Sequence, residues 1–335
     1  MPVTAKELAH QLKLSEAAVS LALNNRPGVS TFTRKRVLAA AKEQGYDFSR
    51  KNYTASSKQG TICFAVYKRS GAVVDDTPFF AGLTAGVNNG CRSENYDCVT
   101  RYLYEDENLE EQINELNISS FSGVIILATE MEEGTMKLFS DLTVPYVFLD
   151  AYYERPEYNY IMINNVQGAY IATSYLIRKR RTQPGYLRSA YSISNFEQRA
   201  DGFYKAIRAA GLSASASPVI RLTPSQEGAY HDMKQLLEGG EKPANCYFAD
   251  NDLIAIGAMQ ALKEAGYRIP EDVAMVGFDD MPACEYMSPP LSTVMVPKVL
   301  LGEIAARRIT ELAASKVLHP IKIEVNTQLI RRKSV

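Results

Sequence analysis

The chain has 335 residues, 46% of them hydrophobic and 22% charged, with a formal net charge of −1. That composition excludes a disordered or fibrous protein and supplies apolar mass for two or three compact units. No apolar run approaches the roughly 20 residues that span a bilayer, and the opening MPVTAKELAHQ lacks the apolar core of a signal peptide, so a cytoplasmic protein without membrane contact is expected.

Thr4 followed by Glu7 predicts a capping box at the start of a short helix with Leu8 and Leu12 on one side. A tight connection at Lys13 and Leu14 leads to Ser15, a second N-cap, and to a helix with Val19, Ala22 and Leu23 inward. Its opposite face presents Glu16, Ala17, Ser20, Leu21 and Asn24, small enough to let a helix backbone enter a DNA major groove. Arg26 to Thr33 reads as a turn-rich connector. RKRVLAAAKEQGY then predicts a third helix with Val37, Leu38 and Ala41 inward and Gly45 as its stop.

Residues 1–60 hold six Lys and four Arg against three Glu and one Asp, a balance of +6 that leaves −7 for the remainder. A basic head on an acidic body concentrates phosphate affinity beside the helix pair. Residues 47–60 lose the apolar periodicity and have the composition of a linker. The expected domains are therefore a helix-turn-helix head over 1–46, a hinge over 47–60 and a body over 61–335.

From Thr61 short apolar runs alternate with helical patterns. TICFAVY precedes a helix from Pro78, capped by Thr77, and YDCVTRYL precedes one from Asn108. GVIIL, PYVFLD, YNYIMI, PGYLRS, PVIRL, CYFAD and VAMVGF continue the series, with helices from Val166, Phe196 and Leu253 among them. This alternation predicts doubly wound parallel sheets in an α/β body. The stretch AYYERPEY, Ala151 to Tyr158, is expected to separate two lobes, approximately 61–158 with 292–318 and 159–291 with 319–335.

Three of these strands run directly into polar groups: VFLD into Asp150, YFADND into Asp250, Asn251 and Asp252, and VGFDD into Asp279 and Asp280. Parallel α/β sheets bind ligands beyond the carboxyl ends of their strands, which makes this edge the expected pocket rim. Phe79, Phe80 and Arg199 add stacking faces and a guanidinium fork, an inventory suited to a polyhydroxylated or planar polar small molecule. Duller roles fit the same residues. Asp250 or Asp252 caps the following helix as readily as it binds a ligand, Asp280 suits a turn, Phe79 with Leu83 and Val87 suits a core stripe, and Arg199 suits a surface ion pair.

The sequence has no GxxxxGK phosphate loop, no GxGxxG after a strand, no GxSxG elbow and no HExxH, so neither an enzyme nor a bound cofactor is expected. Cys63, Cys91, Cys98, Cys246 and Cys284 form no CxxC pair and read as buried free thiols, and His10, His231 and His319 give no metal spacing.

The head VTAKELAHQLKLSEAAVSLALNNRPGVSTFTRKRVLAAAKEQGY resembles the helix-turn-helix of the lactose-repressor/galactose-repressor (LacI/GalR) family of bacterial regulators. The body is similar to that family at PFFAGL, GVIIL, INNVQGAYIATSYLI, QRADGFYKAI, ADNDLIAIGAMQALKEAG, IPEDVAMVGFDD and SPPLSTV. The resemblance implies a two-lobed body like a periplasmic sugar-binding protein. It also implies a homodimer on a near-palindromic operator and a small-molecule effector held between the lobes, by default a sugar or sugar derivative. A nucleoside- or nucleobase-responsive regulator and a cytosolic sugar receptor without specific DNA binding are the alternatives.

By the same resemblance Arg199, Asn251 and Asp279 stand at the main ligand positions, and Asp150, Phe79 and Phe80 at secondary ones. Glu16, Ala17 and Leu21 fall at base-reading positions, while Ser15, Ala18, Ser20 and Asn24 meet the DNA backbone or fix the helix. Thr4, Thr33, Arg34, Arg50, Tyr53 and Ala55 complete the DNA-facing set. Two departures stand out. Phe48, Ser49 and Ala55 replace the family's usual hinge residues, with Ala55 at the position of a minor-groove wedge. RKRRTQPGY, Arg178 to Tyr186, replaces a customary Gly-His.

Overall fold

The computed structural model describes residues 3–23, 28–44, 46, 58–74, 78–315 and 319–335, which form two compact units, Met1–Lys58 and Gln59–Val335. Asn24, Gly45, Arg50, Tyr53, Ala55 and Thr77 lie outside the described residues.

The first unit contains α1 (Ala5–Leu12), α2 (Glu16–Leu23) and α3 (Thr31–Glu43) around a core of Leu8, Ala9, Val19, Ala22, Val37 and Ala41. The predicted capping box forms, with the Thr4 amide donating to Glu7 Oε2 at 2.7 Å and the Glu7 amide donating to Thr4 Oγ1 at 3.3 Å. Lys13 ends α1 in the left-handed region at φ +52°, and Ser15 Oγ then accepts from the Ala18 amide at 3.1 Å to start α2. The third helix begins earlier than its apolar spacing indicated, because Ser30 is a cap whose hydroxyl accepts from the Thr33 amide at 3.0 Å. Leu38, expected inside, is 38% exposed, since the core side of α3 is the Val37–Ala41 line.

The second unit begins with β1 (Thr61–Lys68), α4 (Pro78–Ser93), β2 (Asp97–Tyr104), α5 (Leu109–Ile118), β3 (Gly123–Leu127), α6 (Glu133–Met136), β4 (Tyr146–Leu149) and β5 (Tyr160–Ile163). It continues with α7 (Asn165–Arg180), β6 (Gly185–Ser189), α8 (Ser194–Ala209), β7 (Val219–Leu222), α9 (Gln226–Glu238), β8 (Cys246–Ala249), α10 (Asp252–Glu264) and β9 (Ala274–Asp279). The C-terminal part is α11 (Ala283–Tyr286), β10 (Ser292–Met295), α12 (Lys298–Ala314), β11 (Lys322–Val325) and β12 (Gln328–Ile330).

These strands make two six-stranded sheets, ordered β11-β5-β4-β3-β1-β2 and β12-β10-β9-β8-β6-β7, with β12 antiparallel to β10 and the other pairs parallel. The lobe boundaries differ from those read off the sequence. Ala151–Tyr158 connects two strands of one sheet, since β5 pairs with β4 through Phe148 with Tyr160 and Leu149 with Ile161. β10 belongs to the second sheet and β11 to the first. The chain therefore crosses between lobes three times, after β5, after β10 and after β11. The return of α12 to the first lobe depends on close helix packing: a Cβ on Gly86 of α4 would sit 2.1 Å from the Val299 carbonyl oxygen, and one on Gly302 of α12 would sit 2.5 Å from that of Leu83.

Cys63, Cys91, Cys246 and Cys284 are buried and Cys98 half-buried, all as free thiols. Among the described residues no helix is long and apolar enough to cross a membrane, and no three His, Cys, Asp or Glu side chains gather as a metal site.

Candidate effector cleft and DNA-reading helix

On α2, Val19 and Ala22 are buried, while Glu16, Ala17 and Ser20 are exposed and Ala18 and Leu21 half-buried. The face expected to read DNA is thus the outward one. Glu16 lies in the first turn, where the helix N-terminus favours a carboxylate. On α3, Thr33 and Arg34 are half-buried, and the Thr33 hydroxyl shares a 2.8 Å hydrogen bond with that of Ser30. Arg36 donates to the Leu12 carbonyl at 3.1 Å and fastens α3 to the end of α1.

In the body, a cleft opens where both sheets present the carboxyl ends of their strands, the edge at which parallel α/β sheets bind ligands. All six residues expected to face a ligand line it: Phe79, Phe80, Asp150, Arg199, Asn251 and Asp279. Phe79 and Phe80 pack edge to face with centroids 4.9 Å apart, and Phe79 also continues with Leu83 and Val87 into the core. The stripe and cleft roles of Phe79 coexist.

Arg199 is 4% exposed and so is not a surface ion-pair residue. Its Nε donates to Asn165 Oδ1 at 2.9 Å, one Nη donates to the Asp250 carbonyl, and the other approaches Asp279 Oδ1 at 3.4 Å. Its planar group lies 3.8 Å from the Phe278 ring centroid. Four neighbours thus aim one guanidinium fork with few degrees of freedom left.

The carboxylates divide into cleft groups and structural groups. Asp150 adopts φ +62°, accepts from Thr129 Oγ1 at 2.7 Å through Oδ2, and has no partner for Oδ1 among the described residues. Burial raises its pKa to about 6. Asp279, at φ +112°, is also shifted upward by burial, against the pull of Arg199 and Lys298. Asp250 and Asp252 are neither caps nor cleft-lining residues. Asp250 accepts from the Tyr186 hydroxyl and, at 2.7 Å, from the Ser189 amide; Asp252 accepts from the Thr293 hydroxyl and, at 2.8 Å, from the Met281 amide. The cap of α10 is Asn251, whose Oδ1 accepts from the Ile254 amide at 2.9 Å, leaving its Nδ2 for the cleft. Asp280 forms a 2.8 Å ion pair with Arg332.

Several lining residues carried no sequence signal. Thr129 and Asn195 add polar groups, and Val73, Ile193, Phe196 and Met281 add apolar wall. Asn195 sits at the start of α8 beside Arg199 by one helical turn, so the QRADGF motif pointed near it without naming it. The basic run around Arg178 to Arg181 also acquires a physical account: it forms the last turn and left-handed cap of α7, where cations oppose the helix dipole, and Arg180 donates to the Glu271 carbonyl at 2.9 Å.

Residues 4–48 match the profile of bacterial regulatory proteins of the lacI family, and residues 173–335 match the periplasmic binding protein-like domain. The chain thus joins a LacI-type helix-turn-helix to a periplasmic binding protein-like domain. It is similar to the HTH-type transcriptional repressor PurR of Mannheimia succiniciproducens, 28% identical over 99% of this chain and 98% of that one. Its fold is shared with a transcriptional regulator CelR–cellobiose complex, at TM-score 0.75, 24% identity and coverage of 99% of this chain and 100% of that one. It is shared also with a lac repressor dimer bound to operator and the anti-inducer ONPF, at TM-score 0.71, 24% identity and coverage of 100% and 99%. Its two domains are those of ligand-responsive DNA-binding repressors rather than of an enzyme.

Proposed function

We propose that this protein represses carbohydrate-utilisation genes in the cytoplasm by binding a near-palindromic operator as a homodimer, with affinity set by a sugar or sugar derivative held between the lobes. The observation that carries the effector class is the mixture of groups in the cleft. Asp150 and Asp279 accept hydrogen bonds, Arg199, Asn195 and Asn251 donate them, and Phe79, Phe80 and Phe196 offer apolar faces. A sugar hydroxyl both donates and accepts, so neighbouring hydroxyls are matched by alternating carboxylates and donors. Residues 47–60 link head to body in this reading. The exposed edge strand β2, with Val99 at 40% and Tyr102 at 53% exposure, offers an apolar surface for the partner protomer.

Coupling requires that the effector bind the open and closed bodies unequally, by about 1.4 kcal/mol for each tenfold change in operator affinity. The test is to capture genomic DNA with full-length protein at stated salt, sequence it, and titrate the protein with the sugars that the neighbouring genes consume. A palindromic consensus beside sugar genes, released or tightened by one of those sugars, supports the proposal. Lack of any enriched sequence moves a sugar receptor without specific DNA binding ahead of it.

A purine nucleobase is the second reading. It is favoured by the PurR name of relatives that match 99% of this chain. Enrichment beside nucleotide-synthesis genes, with heat of binding for a purine and none for sugars, would select it.

A further inference from the structure

Just beyond β3, Glu130 is 2% exposed and has no cationic side chain as partner among the described residues. Its carboxylate is instead wrapped by backbone. Oε2 accepts from the amides of Arg69, Ser70 and Gly71, each at 3.0 Å, and Oε1 accepts from those of Val73 at 2.7 Å and Val74 at 3.1 Å. Three successive N–H groups converging on one oxygen, with Gly71 at φ +73°, form the concave nest by which backbone binds free anions. Burial pushes the Glu130 pKa up, but the amides of Val73, Ser70, Gly71 and Val74 outweigh it and hold the group below its ordinary value.

The loop so folded has two further contacts. Val73 lines the cleft, and Arg69 carries its guanidinium to Glu132 and, across to the second lobe, to the Ser192 carbonyl at 3.3 Å. We propose that Glu130 is a positioning residue for effector binding: an internal anion around which residues 69–74 fold into one wall of the cleft and one inter-lobe contact. The proposal rests on the cleft being the effector site.

The test is amide hydrogen exchange on the full-length protein and its Glu130→Ala and Glu130→Gln variants, with and without formate. Glu130→Ala is expected to lose protection at amides 69, 70, 71, 73 and 74 by about tenfold or more while β1 and β3 keep theirs, because each of these amides loses its charged acceptor. Formate, a free carboxylate that fits the vacated nest, is expected to restore that protection in Glu130→Ala and to leave the parent unchanged. Glu130→Gln retains one carbonyl oxygen and is expected to keep protection on only one side of the loop, a result that serves if the alanine variant fails to fold. Unchanged protection at 69–74, or a loss spread over the lobe that formate does not reverse, overturns the proposal.

Calorimetry with cellobiose gives the link to binding. If the parent binds it, Glu130→Ala should bind about tenfold more weakly and regain affinity with formate, whereas undiminished affinity overturns the positioning role. A parent that binds purines and not cellobiose defeats the carbohydrate reading alone. The purine then replaces cellobiose in the same comparison.

Discussion

Asn195 donates from Nδ2 to the carbonyl of Asp150 at 3.0 Å and accepts from Asn165 at 3.1 Å, so one buried amide ties the end of β4 in the first lobe to α8 in the second. The bond lies beside the cleft and exists only while the lobes are together. Asn195→Ala should favour the separated arrangement, seen as a larger radius of gyration in small-angle scattering, and should weaken effector binding about tenfold. An unchanged radius and affinity would show that the bond does not bias closure.

Arg199 and Asp279 should behave as a coupled pair. Removing the guanidinium leaves buried acceptors on Asp279, Asn165 and the Asp250 carbonyl, so Arg199→Ala should cost roughly 3 kcal/mol in urea unfolding. The double variant with Asp279→Asn should lose less than the two single losses added together. In band-shift assays Arg199→Ala should abolish the effector response and keep operator affinity. Equal loss of operator binding would remove Arg199 from the cleft's function.

Asp150 gives a pH prediction. Its pKa is raised from 3.8 to about 6, first by burial, so the folded state takes up its proton more readily than the unfolded chain. Its contribution is fully favourable below about pH 4 and is lost as pH rises through about 6, a swing of roughly 3 kcal/mol. Asp150→Asn preserves an acceptor for Thr129 and removes the charge. Its stability relative to the parent should therefore rise between pH 4 and pH 7 in thermal melts. A pH-independent difference would show that Asp150 is solvated as an ordinary carboxylate.

Glu16 is the one charged side chain on the outward face of α2 at the base-reading positions. As an acceptor it suits a cytosine amino group, while Ala17 and Leu21 suit thymine methyls. Glu16→Ala should relax preference at one base pair per half-site by about 1–3 kcal/mol in selection experiments at fixed salt. Unchanged preference there would place the reading elsewhere on the helix.

Where sequence signals were local, they were legible. Thr4 with Glu7 and Ser15 mark helix starts through side chain to backbone bonds within three residues, and apolar runs ending in Asp150, Asn251 and Asp279 mark strand ends that meet at one cleft. Non-local pairings were not legible. YIMI and KIEV are four-residue runs whose sheet is decided by partners far along the chain, which is why the lobe boundaries were misplaced. Thr129 lies two residues past the end of β3 and Asn195 is the second residue of α8, places where any polar residue is ordinary. Glu130 was hidden for a similar reason: within ATEMEE it reads as a solvated acidic turn, and only the fold shows five amides around it.

The three chain crossings set how the protein can evolve. A single tether would let the lobes swivel in any direction, whereas three short crossings oppose twisting and leave bending as the soft motion. Any ligand that draws the two rims together then moves the body along the same path. Side chains at the rim can be exchanged to admit a new compound while the mechanical output stays the same, so changes in what is sensed are separable from changes in how the signal is delivered.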